Sequence, residues 1–286
     1  MHRLSAALIA AVSAVAFTQI AAAADLPRKA PAAPPPPPAI SWSGFYIGAN
    51  IGGGWSNRDI NYSANDPPAF ERITDPFSGS LPTSFNSAGV IGGIQLGYNW
   101  QFNRNWLVGL ETDFDWSGMK GSLSHTNIAP FTNRITTNLN EHIRWFGTVR
   151  GRFGYLPADN LLVYATGGFA YAQVERTGSY VNDDPGNFIA ASFGGFSYAC
   201  AQGPGVTCFA GSSKDVATGW TVGGGLEYAI LQRWTVRAEY LYVSLGTTSV
   251  TETALVLFAG GTSPSSFNAN FRTNFNVARA GVNYRF

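Results

Sequence analysis

The chain has 286 residues, of which 18 are Lys or Arg and 17 are Asp or Glu, for a formal net charge of +1. Charged residues make up 12% of it, about half the roughly 25% of an average soluble protein, while Gly reaches 33 residues, aromatics 14% and hydrophobic residues 45%. This balance argues against an ordinary cytosolic enzyme, against a disordered chain and against a nucleic-acid partner, which would leave a basic footprint.

Met1-His2-Arg3 is a short positive start, Leu4 to Ile20 is an apolar run, and Ala22-Ala23-Ala24 supplies small residues. Residues 1–24 are therefore read as a secretory signal peptide, cut just before Ala24 or Asp25. The apolar run is short for a retained anchor. Residues 25–43 read as a Pro-rich periplasmic leader. Asp25 to Ala39 holds seven of the 16 prolines, five of them consecutive at Pro34 to Pro38, which favours extended polyproline II. Arg28 and Lys29 are read as solvated, with an anionic polymer such as peptidoglycan as the partner they could touch. No later stretch reaches 18 consecutive apolar residues, so no spanning helix is predicted. An exported chain this apolar is then a secreted β protein or an outer-membrane β-barrel.

From Gly44 onward, eight segments alternate with period two. They run Gly44–Trp55, Val90–Phe102, Trp106–Gly118, Ile143–Tyr155, Leu161–Gln173, Gly219–Tyr228, Trp234–Val243 and Phe275–Phe286. Each suits the roughly 9–11 tilted residues that cross a bilayer. Three connections are tight: Asn103-Arg104-Asn105, Leu156 to Asn160, and Ala229 to Arg233. The other four, about residues 56–89, 119–142, 174–218 and 244–274, are long and polar. Short turns at one end and long loops at the other predict an all-β fold, an eight-stranded antiparallel transmembrane barrel with short periplasmic turns and long extracellular loops. A secreted sandwich has no reason to sort its connections this way.

All eight tryptophans fall at segment ends. Entering from the periplasm, Trp42, Trp100, Trp106 and Trp234 are assigned to a lower girdle, with Tyr155, Tyr228, Tyr284 and Phe286. Trp55, Trp116, Trp145 and Trp220 are assigned to an upper one, with Tyr171 and Tyr242. Alternation then sets the facing. Ile94, Leu96, Tyr98, Trp100 and Phe102 share the lipid face, as do Val108, Leu110, Phe114, Val149 and Phe153. Glu111, Asp113 and Asp115 point inward on one strand, and Arg144, Arg150 and Arg152 on the next. Glu227, Arg237, Glu239 and Arg279 join them. An Arg or Lys facing mid-bilayer lipid would cost roughly 2–4 kcal/mol, whereas opposite charges on neighbouring interior strands can pair bidentately.

Eight strands enclose an interior barely wider than its own side chains. The ionic cluster is accordingly read as a sealed polar core, with a charge-lined pore as the alternative. Inward glycines (Gly48, Gly52, Gly97, Gly109, Gly223, Gly225) fit a crowded interior and also fit strand coiling.

The Ala-Asp-Leu-Pro start after the signal peptide, the Pro-rich stretch, Ser41-Trp42-Ser43-Gly44-Phe45-Tyr46-Ile47-Gly48 and the ending Val282-Asn283-Tyr284-Arg285-Phe286 resemble the alphaproteobacterial outer-membrane immunogenic protein family. This group is also called the small porin or RopB-like family. The resemblance implies an eight-stranded barrel inserted by the outer-membrane assembly machinery, which reads the terminal strand ending in Phe286. It also implies an abundant surface antigen that supports the envelope. Pore activity and haem binding attributed to some relatives do not transfer residue by residue, because no site motif matches.

Cys200 and Cys208, in the third long connection, are the only cysteines. In an oxidising envelope a disulfide closing a small loop is the simpler reading, and a metal pair the alternative, although two thiolates alone leave a zinc site incomplete. Outside the signal peptide the histidines are His125 and His142. By register His142 is expected inward at the outer rim, near Ser117 and above Asp115. A lipid-hydrolysing site would need Ser and His within hydrogen-bond reach and an orienting carboxylate. Haem ligation by the two histidines is a further alternative, beside the ordinary expectation of solvated or acid-paired rim histidines. The function expected is therefore structural and non-enzymatic, with no catalytic, metal or cofactor-binding residue assigned. Its partners are outer-membrane lipid, lipopolysaccharide and, during insertion, the assembly machinery. The rivals are a narrow diffusion channel and a lipid-modifying barrel enzyme.

Overall fold

The computed structural model describes residues 40–69, 81–128, 134–186 and 188–286. The signal peptide and all but residues 40–43 of the leader lie outside the described residues. Eight strands close into one antiparallel barrel: β1 (Gly44–Ala64), β2 (Ser84–Gln101), β3 (Trp106–Ile128), β4 (Arg134–Ala158), β5 (Leu161–Asn182), β8 (Val206–Ala229), β9 (Trp234–Ala254) and β11 (Ser266–Arg285). The last strand returns to the first, from Tyr46↔Arg285 to Ala64↔Phe267. Between the tryptophan rows closure leaves the sheet no free edge, as hydrocarbon demands of any spanning backbone; above them the β8–β9 ladder is interrupted between Ala210 and Trp220. Between β5 and β8, β6 (Ile189–Phe193) and β7 (Phe196–Cys200) form a hairpin. With β10 (Ser263–Pro264) it makes a separate three-stranded sheet.

The tight turns have local causes. Asn103 Oδ1 accepts from the backbone N–H groups of Asn105 (3.0 Å) and Trp106 (2.9 Å), a side-chain turn that starts β3.

The barrel is taller than the eight predicted segments. Its strands run from 18 to 25 residues, and most of the described part of each predicted long connection is strand. The reason is an inversion of the pattern. Between the two Trp rows, which bound the membrane-spanning zone, the outward residues are apolar and exposed, such as Ile51, Ile94, Leu110 and Val149. There the inward ones are polar. Beyond the upper row, Ile60, Phe85, Leu139, Val250 and Phe271 turn inward, while Asn57, Asn61, Ser63, Asn140 and Thr251 face out. A strand whose outer face is wet reads as Ser, Thr and Asn, and so resembles loop.

Irregularities cluster at the changeover. β4 carries a bulge between Ile143 and Trp145, and β9 turns at Gly246, whose φ of +76° suits a residue without Cβ. Each extra residue switches which set of side chains faces in.

Trp42 corrects the lower girdle. It is 1% exposed, tucked into the base of the barrel with Leu107, Leu156, Leu162 and Tyr164. Its Nε1–H donates to the Asp159 carbonyl at 3.0 Å, and the Arg285 guanidinium lies 4.6 Å from its ring centre. Trp42 continues the inward set Tyr46–Gly48–Asn50 of β1, so the chain enters the barrel mouth before it joins the wall. Trp100, Trp106 and Trp234 remain on the outer surface.

Candidate functional site

The polar interior follows directly from the register. Glu111 on β3 lies opposite Arg150 on β4, Glu227 on β8 opposite Arg237 on β9, and Glu239 opposite Arg279 on β11. The tilt of the strands brings these pairs to one level. Arg150 donates to Glu111 (2.5 Å), Asp113 (2.7 Å) and Glu239 (3.0 Å). Arg279 reaches Asp113 (2.8 Å), Asp115 (2.6 Å) and Glu239 (2.8 Å). Arg237 binds Glu111 at 2.6 Å and Arg152 binds Glu227 at 2.8 Å. All nine side chains are almost fully buried. Buried ions persist only when each has several partners, because desolvation costs several kcal/mol per ion, and here most bridge two or more opposite charges.

Neutral groups complete the set. Tyr46 donates to Glu111 at 2.6 Å and accepts from Arg152 at 2.7 Å. Tyr164 donates to Glu239 at 3.0 Å, and the Arg152 guanidinium stacks 4.0 Å from its ring centre. Thr235 and Asn283 donate to Glu227. Sequence reading assigned no role to these residues, although Tyr46 and Tyr164 share inward sets with Gly48 and Thr166. Each tyrosine lies over its cross-strand neighbour on the adjacent strand, Tyr46 over Gly97 and Tyr164 over Gly225. A Cβ at Gly97 would fall 2.3 Å from the Tyr46 ring, and one at Gly225 would fall 2.7 Å from the Tyr164 hydroxyl.

The ionic layer sits between apolar ones. Below it is the Trp42 cluster. Above it Ile91, Met119, Phe146, Leu241, Phe275 and their neighbours fill the section, with Phe146 and Phe275 edge to face at 5.4 Å. A second ionic group follows, in which Glu141 accepts from Arg58 and, at 2.9 Å, from Arg176. Beyond it come the Ile60–Phe85–Phe271 layer and a top cluster of Tyr180, Tyr198, Phe209 and Phe267. Cys200 and Cys208 are joined by a disulfide within that cluster, tying β7 to β8.

Glu252 stands in this upper section, outside the membrane-spanning zone. Among the described residues neither of its carboxylate oxygens has a hydrogen-bond partner, and burial pushes its carboxyl up to about 8. An acid raised in the folded state keeps a proton that the unfolded chain releases near pH 4.3. Stability from this group is therefore complete below about pH 4 and falls as pH rises toward about 8. Glu252→Gln should raise the urea midpoint at pH 8 and leave that at pH 4 unchanged; equal shifts at both would show that the carboxyl ionises normally.

Other sequence-assigned residues are not brought together. Arg144 points out of the barrel, because the β4 bulge places Ile143 and Phe146 inside and leaves Arg144 outside, where its Nε donates to Glu175 at 2.7 Å. The same bulge turns His142 outward, opposite Lys120 and Glu175. Ser117 and Asp115 face inward, with Asp115 held by Arg279. Ser117, His142 and Asp115 thus sit on opposite sides of the wall. His125 lies farther up β3, 2.9 Å from Asn127 Oδ1 and well away from His142 along the β3–β4 ladder.

The chain is similar in sequence to known proteins. A family model described as an outer membrane protein beta-barrel domain matches residues 5–286. The 31 kDa outer-membrane immunogenic protein of Brucella melitensis is 33% identical over 281 residues, 98% of each chain. The 22 kDa outer membrane protein of Rhizobium leguminosarum bv. viciae is 28% identical over 208 residues, covering 73% of this chain and 66% of that one. Among solved structures, OprG of Pseudomonas aeruginosa aligns over 85% of this chain and 96% of its own, at 10% identity and a TM-score of 0.42.

Proposed function

The chain belongs to the outer-membrane β-barrel family that includes the outer-membrane immunogenic proteins, and on that premise we propose that it is a non-conducting structural barrel. Its work is mechanical. Aliphatic and aromatic side chains hold the wall in lipid, the interlocked interior makes it rigid, and the tall upper section presents a surface outside the cell. The terminal strand, in which the Phe286 N–H donates to the Phe45 carbonyl at 3.0 Å, serves as the insertion signal. Peptidoglycan is the partner proposed for the Pro-rich leader of residues 25–43.

One observation carries the reading: charged, apolar and aromatic layers alternate along the barrel axis and fill the section from Trp42 to Phe209. A diffusion channel needs a continuous wet path, whereas the Phe146–Phe275 layer has buried side chains at its centre. Purified protein in planar bilayers should give no stepwise conductance. Discrete openings that disappear in Arg150→Ala or Arg152→Ala would establish the channel instead.

A further inference from the structure

Just above the upper Trp row, the ladders align outward side chains into horizontal rows across β3, β4, β5 and β8. One row is Trp116, Trp145, Gln173 and Val216. The next is Lys120, His142, Glu175 and Lys214, with the bulged Arg144 beside it. The one above that is Ser122, Asn140, Thr177 and Ser212. Glu175 accepts from Arg144 Nε at 2.7 Å and from Lys214 Nζ at 2.9 Å, which fixes both cations in place and leaves three positive side chains against one carboxylate. Asp215, next to Lys214 and also exposed, is a second carboxylate at the edge of the row; in register it lies opposite the inward Val174 and it acts on Arg176, so the cations still outnumber the carboxylates by three to two. A cleft of about 370 Å³ opens along these rows, lined by Lys120, Ser122, Asn140, His142, Glu175 and Thr177 among others.

The remainder of the circumference differs. At comparable height β9, β11, β1 and β2 show Thr247, Ser249, Asn270, Asn57 and Asn86 outward, and their exposed charges there are Arg272 and Asp59, one of each sign. The positive charge is therefore confined to one sector, at the depth where aromatic belts meet lipid headgroups.

We propose that this sector binds a phosphorylated glycolipid of the outer leaflet, lipopolysaccharide, through its phosphate groups. The stacking order matches such a molecule from tail to sugar. Trp116, Trp145 and Val216 meet acyl chains, Lys120, Arg144 and Lys214 give charge-assisted bonds to phosphate, and Ser122, Asn140 and Thr177 meet saccharide hydroxyls. A phosphoglycerolipid would use the cations and leave the hydroxyl and amide row without a partner. The inference rests on the outer-membrane location and not on the sealed interior, so a barrel that conducts yet binds would overturn only the non-conducting reading.

The test uses the full mature chain in detergent micelles, titrated with lipid A carrying both phosphates, with dephosphorylated lipid A and with phosphatidylglycerol, and read by native mass spectrometry. Heat-shifted mobility on gels establishes that each variant is folded. The triple variant Lys120→Ala/Arg144→Ala/Lys214→Ala should bind phosphorylated lipid A at least about tenfold more weakly, while Arg272→Ala stays within about twofold of the parent. Dephosphorylated lipid A should bind poorly to all. The proposal is overturned if the triple variant binds like the parent, if both forms of lipid A bind alike, or if phosphatidylglycerol competes equally.

Discussion

Arg150→Met should cost the barrel on the order of 3–5 kcal/mol, the usual toll of removing one partner from a buried ionic group. Its loss strips a cation from Glu111, Asp113 and Glu239 together, and no other group can take its place. Arg237 already serves Glu111, and Arg279 already serves Asp113 and Glu239. Met fills a similar volume and adds no charge, so the effect reports uncompensated carboxylates more than a cavity. The measurement is the urea midpoint of the refolded protein, with the heat-shifted gel band as a check on closure. A second variant separates electrostatics from packing. Adding Asp113→Asn to Arg150→Met restores the original net charge of the layer while Arg279 keeps Asp115 and Glu239, and should recover a substantial part of the stability. If the double variant is no better than the single one, the ionic layer acts through shape and the account given for it fails.

Sealing and stability have the same source here. A guanidinium that bridges three carboxylates also occupies the barrel axis, and any rearrangement opening a path for solute would have to separate such bridges. The stack of Tyr46 over Gly97 works the same way: the small residue is needed because the ring occupies the space that a side chain on the neighbouring strand would take. A larger residue at that position would push the Tyr46 hydroxyl off Glu111.

Much of this was legible because a spanning strand has to alternate. Glu111, Asp113 and Asp115 could be placed inside without a structure, since the strand that carries them is unbroken across the lipid zone and Leu110 and Phe114 fix the other face. Arg144 could not, because a one-residue bulge leaves no mark in the composition of a strand yet exchanges inside for outside from Ile143 upward. The upper barrel was hidden for a different reason. Its polar face is the outer one, so Asn57, Asn61 and Ser63 look like loop even though Arg58, Ile60 and Tyr62 alternate with them toward the interior. Trp42 shows a legible signal outweighed by a stronger habit. Even-numbered positions of β1 face inward, and Trp42 falls in that set, but a tryptophan at a strand end suggests a membrane girdle.

Trp42→Ala should therefore behave as a core truncation, with a loss of about 3–5 kcal/mol, rather than as the removal of one belt residue. The ring closes the base of the barrel against Leu107, Leu156 and Leu162. Arg285 stacks on it and donates to the carbonyls of Ser41 and Gln232, each at 2.8 Å. Removing the indole thus loosens three chain segments that meet at the seam between the first and last strands. Trp100→Ala removes an indole of the same size from the outer surface, where the side chain is 59% exposed, and should cost far less. Fluorescence distinguishes the two locations without relying on stability. With every other tryptophan replaced by Phe, emission from Trp42 should persist in bilayers of brominated lipid, whereas emission from a variant retaining only Trp100 should be quenched. Equal quenching would put Trp42 in the lipid-facing girdle, and with it the base of the barrel would lose its plug.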